Sequence, residues 1–126
     1  MSEATPFKFT GRLRSFRSAF RGIGAMIQSQ HNAWIHAVCT VLVVAAAIWF
    51  QVSTGEWCWL IVEITGVWTA KALNSAFEFL CDVASPDFHP AVEKSKDVAA
   101  GAVLLSAMGA TAIGIVIFWP RVYDLM

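Results

Sequence analysis

Three long apolar runs separated by short polar breaks organise this chain. The first, from Ala33 to Val52, is interrupted only by His36 near its start. A helix needs roughly 20 apolar residues to cross the hydrocarbon core of a bilayer, so this run predicts a spanning helix over 33–52. Ser53–Thr54–Gly55–Glu56 leaves room only for a tight turn. A second span is predicted over 57–81, although it carries Glu63, Lys71, Asn74 and Glu78. Asp82 to Asp97 reads as a polar connection, with Ser85–Pro86 and His89–Pro90 as breakers. The third span, over 98–119, holds no charge, and Pro120 is expected to end it. Its Gly101, Ala102, Ala107, Gly109, Ala110 and Gly114 would permit close helix packing.

Upstream the pattern changes. Phe9, Leu13, Phe16, Phe20 and Ile23 recur at helical spacing, with Arg12, Arg14, Arg17 and Arg21 between them. This predicts a basic amphipathic helix within 9–29, lying in the headgroup layer with its arginines on anionic lipid. Residues 1–8 read as a frayed end. No cleavable signal sequence is expected, because the first twenty residues are basic and mixed rather than a short apolar core.

Composition agrees with the membrane class. Of 126 residues, 57% are hydrophobic and 14% charged, against about a quarter charged in ordinary soluble domains. The mean hydropathy is +0.59. One integral-membrane domain over 1–126 is expected. The formal net charge is zero, which gives no footprint for a nucleic-acid partner. Cys39, Cys58 and Cys81 are widely spaced, show no metal-ligand pattern and read as buried thiols.

Charge distribution orients the chain. Lys8, Arg12, Arg14, Arg17 and Arg21 precede the first span, and Lys94 and Lys96 lie in the second connection. The first turn has no Lys or Arg and the tail has Arg121 alone. The positive-inside rule then puts the N-terminus and the second connection in the cytoplasm. Trp49, Trp57, Trp59 and Trp119 fall near the opposite boundary, where amphipathic rings prefer to lie.

Ionisable residues within a span mark function by default. Lys71, Asn74, Glu78 and Asp82 follow spacings of three, four and four, so they share one helix face descending toward the cytoplasm. Lys96 and Asp97 open the third span at the same depth. Carboxylates and an amide oxygen can hold Mg²⁺, and a lysine can hold a phosphate. The set suits phosphoryl transfer to something living in the membrane. It equally suits an ion-pair network that fixes packing, with Lys71 neutralising Glu78 or Glu63. Glu63 lies deeper and reads as an ion-pair or hydrogen-bond partner within the bundle. His36 reads as a satisfied residue at the start of a helix, and His89 as loop.

The run Ala72–Leu73–Asn74–Ser75–Ala76–Phe77–Glu78, then Asp82, His89–Pro90 and Lys96–Asp97–Val98–Ala99–Ala100, resembles the prokaryotic diacylglycerol kinase/undecaprenol kinase family. The resemblance extends from the amphipathic helix to Trp119. It implies an all-α homotrimer in the bacterial inner membrane, with one surface helix and three spans per protomer. Active sites would be shared between neighbours at the cytoplasmic face. It implies transfer of the γ-phosphate of ATP to a lipid hydroxyl, with Mg²⁺. By position, Glu78 would be a metal ligand, and Asn74 and Asp82 would line the site. Lys96 and Asp97, with Arg21 from the surface helix, would serve the nucleotide. Asn32 and His36 resemble the polar start of the family's first span.

Three positions depart from the family pattern. Lys71 stands where the family has a glutamate, proposed as the base that accepts the lipid hydroxyl proton. Gln30 stands where the family has a second metal carboxylate. Trp34 stands where many relatives have a basic residue. Gln30 would keep an oxygen ligand but lose its charge, weakening Mg²⁺. Lys71, as a cation, cannot take a proton and would repel the metal it flanks. The resemblance therefore implies a lipid kinase that works slowly or with another base, Glu63 or a metal-polarised hydroxyl assisting. The alternatives are a silent homologue that binds lipid or nucleotide, and a structural or regulatory membrane protein.

Overall fold

A computed structural model describes residues 9–29 and 31–126, and the described residues are all-helical. The order is α1 (Phe9–Ser29), α2 (His31–Phe50), α3 (Thr54–Ala84) and α4 (Pro90–Leu125). Two of these, α2 over Ala33–Phe50 and α4, are long and apolar enough to cross a membrane. α3, with its polar residues, is less apolar than these two, although its 31 residues extend about 46 Å.

The turn after α2 is a Schellman motif. Gln51 takes φ 52°, the Val52 N–H donates to the Ala47 carbonyl at 3.2 Å, and the Gln51 N–H donates to the Ile48 carbonyl at 3.2 Å. Glycine usually fills the left-handed position, but here glutamine does. A capping box then starts α3: the Glu56 N–H donates to Ser53 Oγ at 3.2 Å, and the Ser53 N–H donates to Glu56 Oε1 at 2.9 Å. The turn thus sits at 51–53, and Thr54 to Glu56, expected as turn, form the first helical residues.

α3 and α4 form an antiparallel hairpin clamped at both ends. At one end Arg121 Nη2 donates to Glu56 Oε1 at 2.5 Å and Nη1 donates to Oε2 at 2.7 Å. At the other, Lys96 Nζ donates to Asp82 Oδ1 at 3.2 Å. α2 returns along α3, joined by a bond from Trp68 Nε1 to Thr40 Oγ1 at 2.9 Å and an edge contact of His36 on the same indole. The core, Ala47, Val52, Leu60 and Ile117, gathers at the Glu56–Arg121 end, with Phe50 and Phe118 packed on it. Trp49, Trp59 and Trp119 are exposed there.

Several expectations change. The connection expected over Asp82–Asp97 shrinks to 85–89, because α3 continues to Ala84 and α4 begins at Pro90. Hydropathy reports where a helix is apolar, not where it ends. His89 is the N-cap, its Nδ1 accepting from the Ala91 N–H at 3.1 Å, and Pro90 takes the first turn, where its missing N–H costs nothing. Pro120 does not end α4, which runs on to Leu125. Beside it, Arg121 Nη1 donates to the Ile117 carbonyl at 2.7 Å while the same guanidinium pairs with Glu56, which ties this last turn to α3. A Cβ at Gly101, Gly109 or Gly114 would meet nothing within 4 Å, so within one protomer these glycines mediate no close approach. Cys39 and Cys58 are exposed; Cys81 alone is buried. As a surface helix requires, the apolar stripe of α1 is exposed, from Phe9 at 71% to Ile23 at 49%, and among its described side chains Met26 alone is buried.

Hydrogen bonds from Arg121, then the Ser53 N–H, hold the Glu56 carboxyl at about 2 against an ordinary 4.5. A depressed carboxyl contributes fully above its unfolded value and loses that contribution as pH falls through the folded one. The stability gap between the native chain and Glu56→Gln is therefore expected to shrink between pH 4.5 and 2. Thermal unfolding in micelles, followed by circular dichroism, checks this.

Candidate functional site on the α3 face

Helical spacing carries the four polar residues of α3 along one side, and their burial grades toward the Asp82–Lys96 end. Lys71 is 3% and Asn74 7% exposed. Glu78 is half-buried and Asp82 is exposed. Ser75, 1% exposed, adds a hydroxyl beside Asn74. Neither Asn74 Oδ1 nor Ser75 Oγ has a hydrogen-bond partner among the described residues. Buried polar groups are nearly always paired, so these two atoms have hydrogen-bonding capacity left for a ligand, water or a neighbouring chain.

Part of the expected packing network is present, as the Asp82–Lys96 pair between α3 and α4, but Lys71 takes no part in it. Among the described residues Lys71 makes no ion pair with Glu78 or Glu63; the two pairs present are Lys96–Asp82 and Arg121–Glu56. Glu63, expected to be partnered, has an Oε2 without a hydrogen-bond partner. It lies eight residues from Lys71, roughly 12 Å along the helix, beyond the reach of a direct pair.

Asp82 and Lys96 are brought together, and Asp82 accepts from the lysine and raises its pKa. Asp97 is exposed and stands outside this pair. Arg21 is exposed on α1 and makes no hydrogen bond or ion pair with the other site residues among those described. Gln30 lies outside the described residues, as does the side chain of Asn32. No cluster of three or more His, Cys, Asp or Glu able to hold a metal occurs among the described residues. Glu78 and Asn74 Oδ1 remain, one turn apart on one face. That is too few for an all-protein cage but matches what Mg²⁺ asks of a protein when phosphates and water supply the rest.

Cavities surround this face unevenly. One of about 640 Å³ opens between Phe77, Lys94, Ser95 and Val98, and none of the candidate residues lines it. A smaller one, about 190 Å³, is lined by Lys71, Asn74 and His36 with Ile35, Ala100 and Val103. His36 is the residue that sequence spacing undervalued. Once the turn is placed at 51–53, counting back along antiparallel helices sets His36 level with Trp68, whose indole it meets, about one turn from Lys71.

Comparison with known proteins decides the family. The profile described as prokaryotic diacylglycerol kinase matches residues 17–118. The chain belongs to the prokaryotic diacylglycerol kinase family. An undecaprenol kinase of Bacillus subtilis is 32% identical over 108 residues, covering 86% of this chain and 88% of that protein. A diacylglycerol kinase of Synechocystis sp. is 32% identical over 115 residues, covering 90% of this chain and 66% of that protein. The α3 face and the α3–α4 connection thus fall inside the matched kinase region, and so does Lys71.

Lys96 contributes through Asp82 below its ordinary 10.5 and loses that contribution as pH rises through its raised folded value. Asp82→Asn is expected to make the Lys96 amine react faster with an acylating reagent at pH 9 to 10, as read by peptide mass spectrometry. An unchanged rate would mean that the pair does not persist in solution.

Proposed function

We propose that this chain is a membrane lipid kinase of low turnover. It transfers the γ-phosphoryl group of ATP to the hydroxyl of diacylglycerol or undecaprenol at the cytoplasmic edge of the bacterial inner membrane. The observation that carries the reading is the α3 face. Glu78 and the unpartnered Asn74 Oδ1 sit one turn apart, just inside the Asp82–Lys96 pair, in a chain of a kinase family.

In this reading the three spans are 33–52, 57–81 and 98–119, with α1 on the cytoplasmic surface. The exposed arginines of α1 and the charge asymmetry of the loops support that orientation. The protein works as a homotrimer whose sites form between neighbours. Glu78 and Asn74, with Gln30 as a neutral oxygen donor, would hold Mg²⁺ beside the nucleotide. When bound, the ion supplies charge neutralisation of the phosphates. Lys96, Asp97 and Arg21 face the nucleotide, and Asp82 holds Lys96 in place.

Transfer breaks the bond between the γ-phosphorus and the oxygen that leaves on ADP, and forms one from phosphorus to the lipid oxygen. The hydroxyl proton must leave. It passes to interfacial water or to a transferred phosphoryl oxygen, because a lysine at 71 supplies no carboxylate to take it, and that slow loss sets the low turnover. A homologue that binds lipid or nucleotide without chemistry is the second reading, favoured by the same buried lysine.

Purified protein in lipid with Mg²⁺ and labelled ATP, offered each lipid in turn, tests both. A Lys71→Glu/Gln30→Glu double variant is expected to outpace the native chain by about 10²–10⁴-fold, the usual worth of a positioned base. Equal rates would refute low turnover. Activity confined to the double variant would establish the second reading.

A further inference from the structure

A lysine that is 3% exposed, with no counter-charge within reach among the described residues, is costly to keep. Its surroundings suggest what it is kept for. The 190 Å³ cavity at its tip has three polar lining residues: Lys71, Asn74 and His36. All three carry N–H donors, and no carboxylate lines the space. Its volume is about that of six liquid waters. Ile35, on its rim, is 61% exposed, so in the protomer the cavity opens sideways at the apolar flank of α2. Ile35 and His36 also line a second groove of about 420 Å³, which continues along Val43, Ile64 and Val67 to Phe118. That groove is apolar except for His36, Thr40, Thr111 and Glu63, and Glu63 lies roughly 12 Å from Lys71 along α3.

We propose that Lys71, Asn74 and His36 form a site for the phosphomonoester headgroup of a membrane lipid, with its tail lying in the adjoining groove. The cation and the imidazole match the phosphate oxygens, and the unpartnered Asn74 Oδ1 can accept from the O–H of a monoester, whereas a neutral hydroxyl would leave the ammonium unpaired. The sideways opening and the apolar groove select a lipid over a soluble anion. Only the depth in the membrane rests on the kinase reading. The ligand chemistry follows from the donors, and the site would retain a lipid phosphate even in a chain that makes none.

The full chain in phosphatidylcholine nanodiscs, without nucleotide or Mg²⁺, tests this by native mass spectrometry. The probes are phosphatidic acid and diacylglycerol with the same acyl chains. The native protein is expected to retain phosphatidic acid at least ~10-fold better than diacylglycerol, the value of one charged hydrogen bond. Lys71→Met is expected to lose that preference, Lys71→Arg to keep most of it, and Lys94→Gln, a surface change, to leave it intact. Equal retention of the two lipids by the native protein overturns the proposal, and that comparison needs no variant. So does a Lys71→Met protein that keeps the preference, or a Lys94→Gln protein that loses it. If millimolar inorganic phosphate displaces the lipid, the site takes a free anion and the lipid assignment fails. Because no ATP is present, a failed kinase assay and a failed binding assay are separate results.

Discussion

The α3–α4 hairpin is held in register by an ion pair at each end, Glu56–Arg121 and Asp82–Lys96, and the placement of every polar side chain between them follows from that register. Lipid tails are as apolar as leucine, so helices in a bilayer gain little from burying apolar surface against each other. Directional contacts at the ends then have a large share in fixing how they align. Glu56 and Asp82 are 26 residues apart on α3, and Arg121 and Lys96 are 25 apart on α4, so the two clamps agree on one antiparallel alignment. That alignment turns Lys71, Asn74 and Ser75 inward and leaves Glu78 half-covered.

The two ends divide the work. The Glu56–Arg121 end holds the apolar core, the capping box and the Schellman turn. The Asp82–Lys96 end holds the orphaned amide and hydroxyl oxygens, the half-buried Glu78 and the small cavity. A packed end anchors the helices and a loosely packed end keeps donors and acceptors open, the usual division between scaffold and site.

Much of this was legible in the residues. Spacings of three, four and four put Lys71, Asn74, Glu78 and Asp82 on one face, and the structure keeps them there. The amphipathic pattern of α1 appears as an exposed apolar stripe. What escaped depended on tertiary facts. Whether Pro120 stops a helix depends on what holds the turn beyond it, and there Arg121 is tied across to Glu56. Whether Glu63 finds a partner depends on distances along the helix, and Lys71 is too far. Whether glycines bring helices together depends on which way they face, and those of α4 face open space within the protomer. His36 gained meaning only when the turn at Gln51 set the register between α2 and α3.

The family supplies the reaction class, and the proposed site lies on the α3 face with Lys71 at its buried end. The most direct measurement is transfer of label from γ-labelled ATP into extractable lipid in sealed inside-out membrane vesicles, comparing the native chain with Glu78→Gln. The account predicts a slow, Mg²⁺-dependent signal in the native chain that falls to background in Glu78→Gln. A Glu78→Gln signal equal to the native one would contradict it.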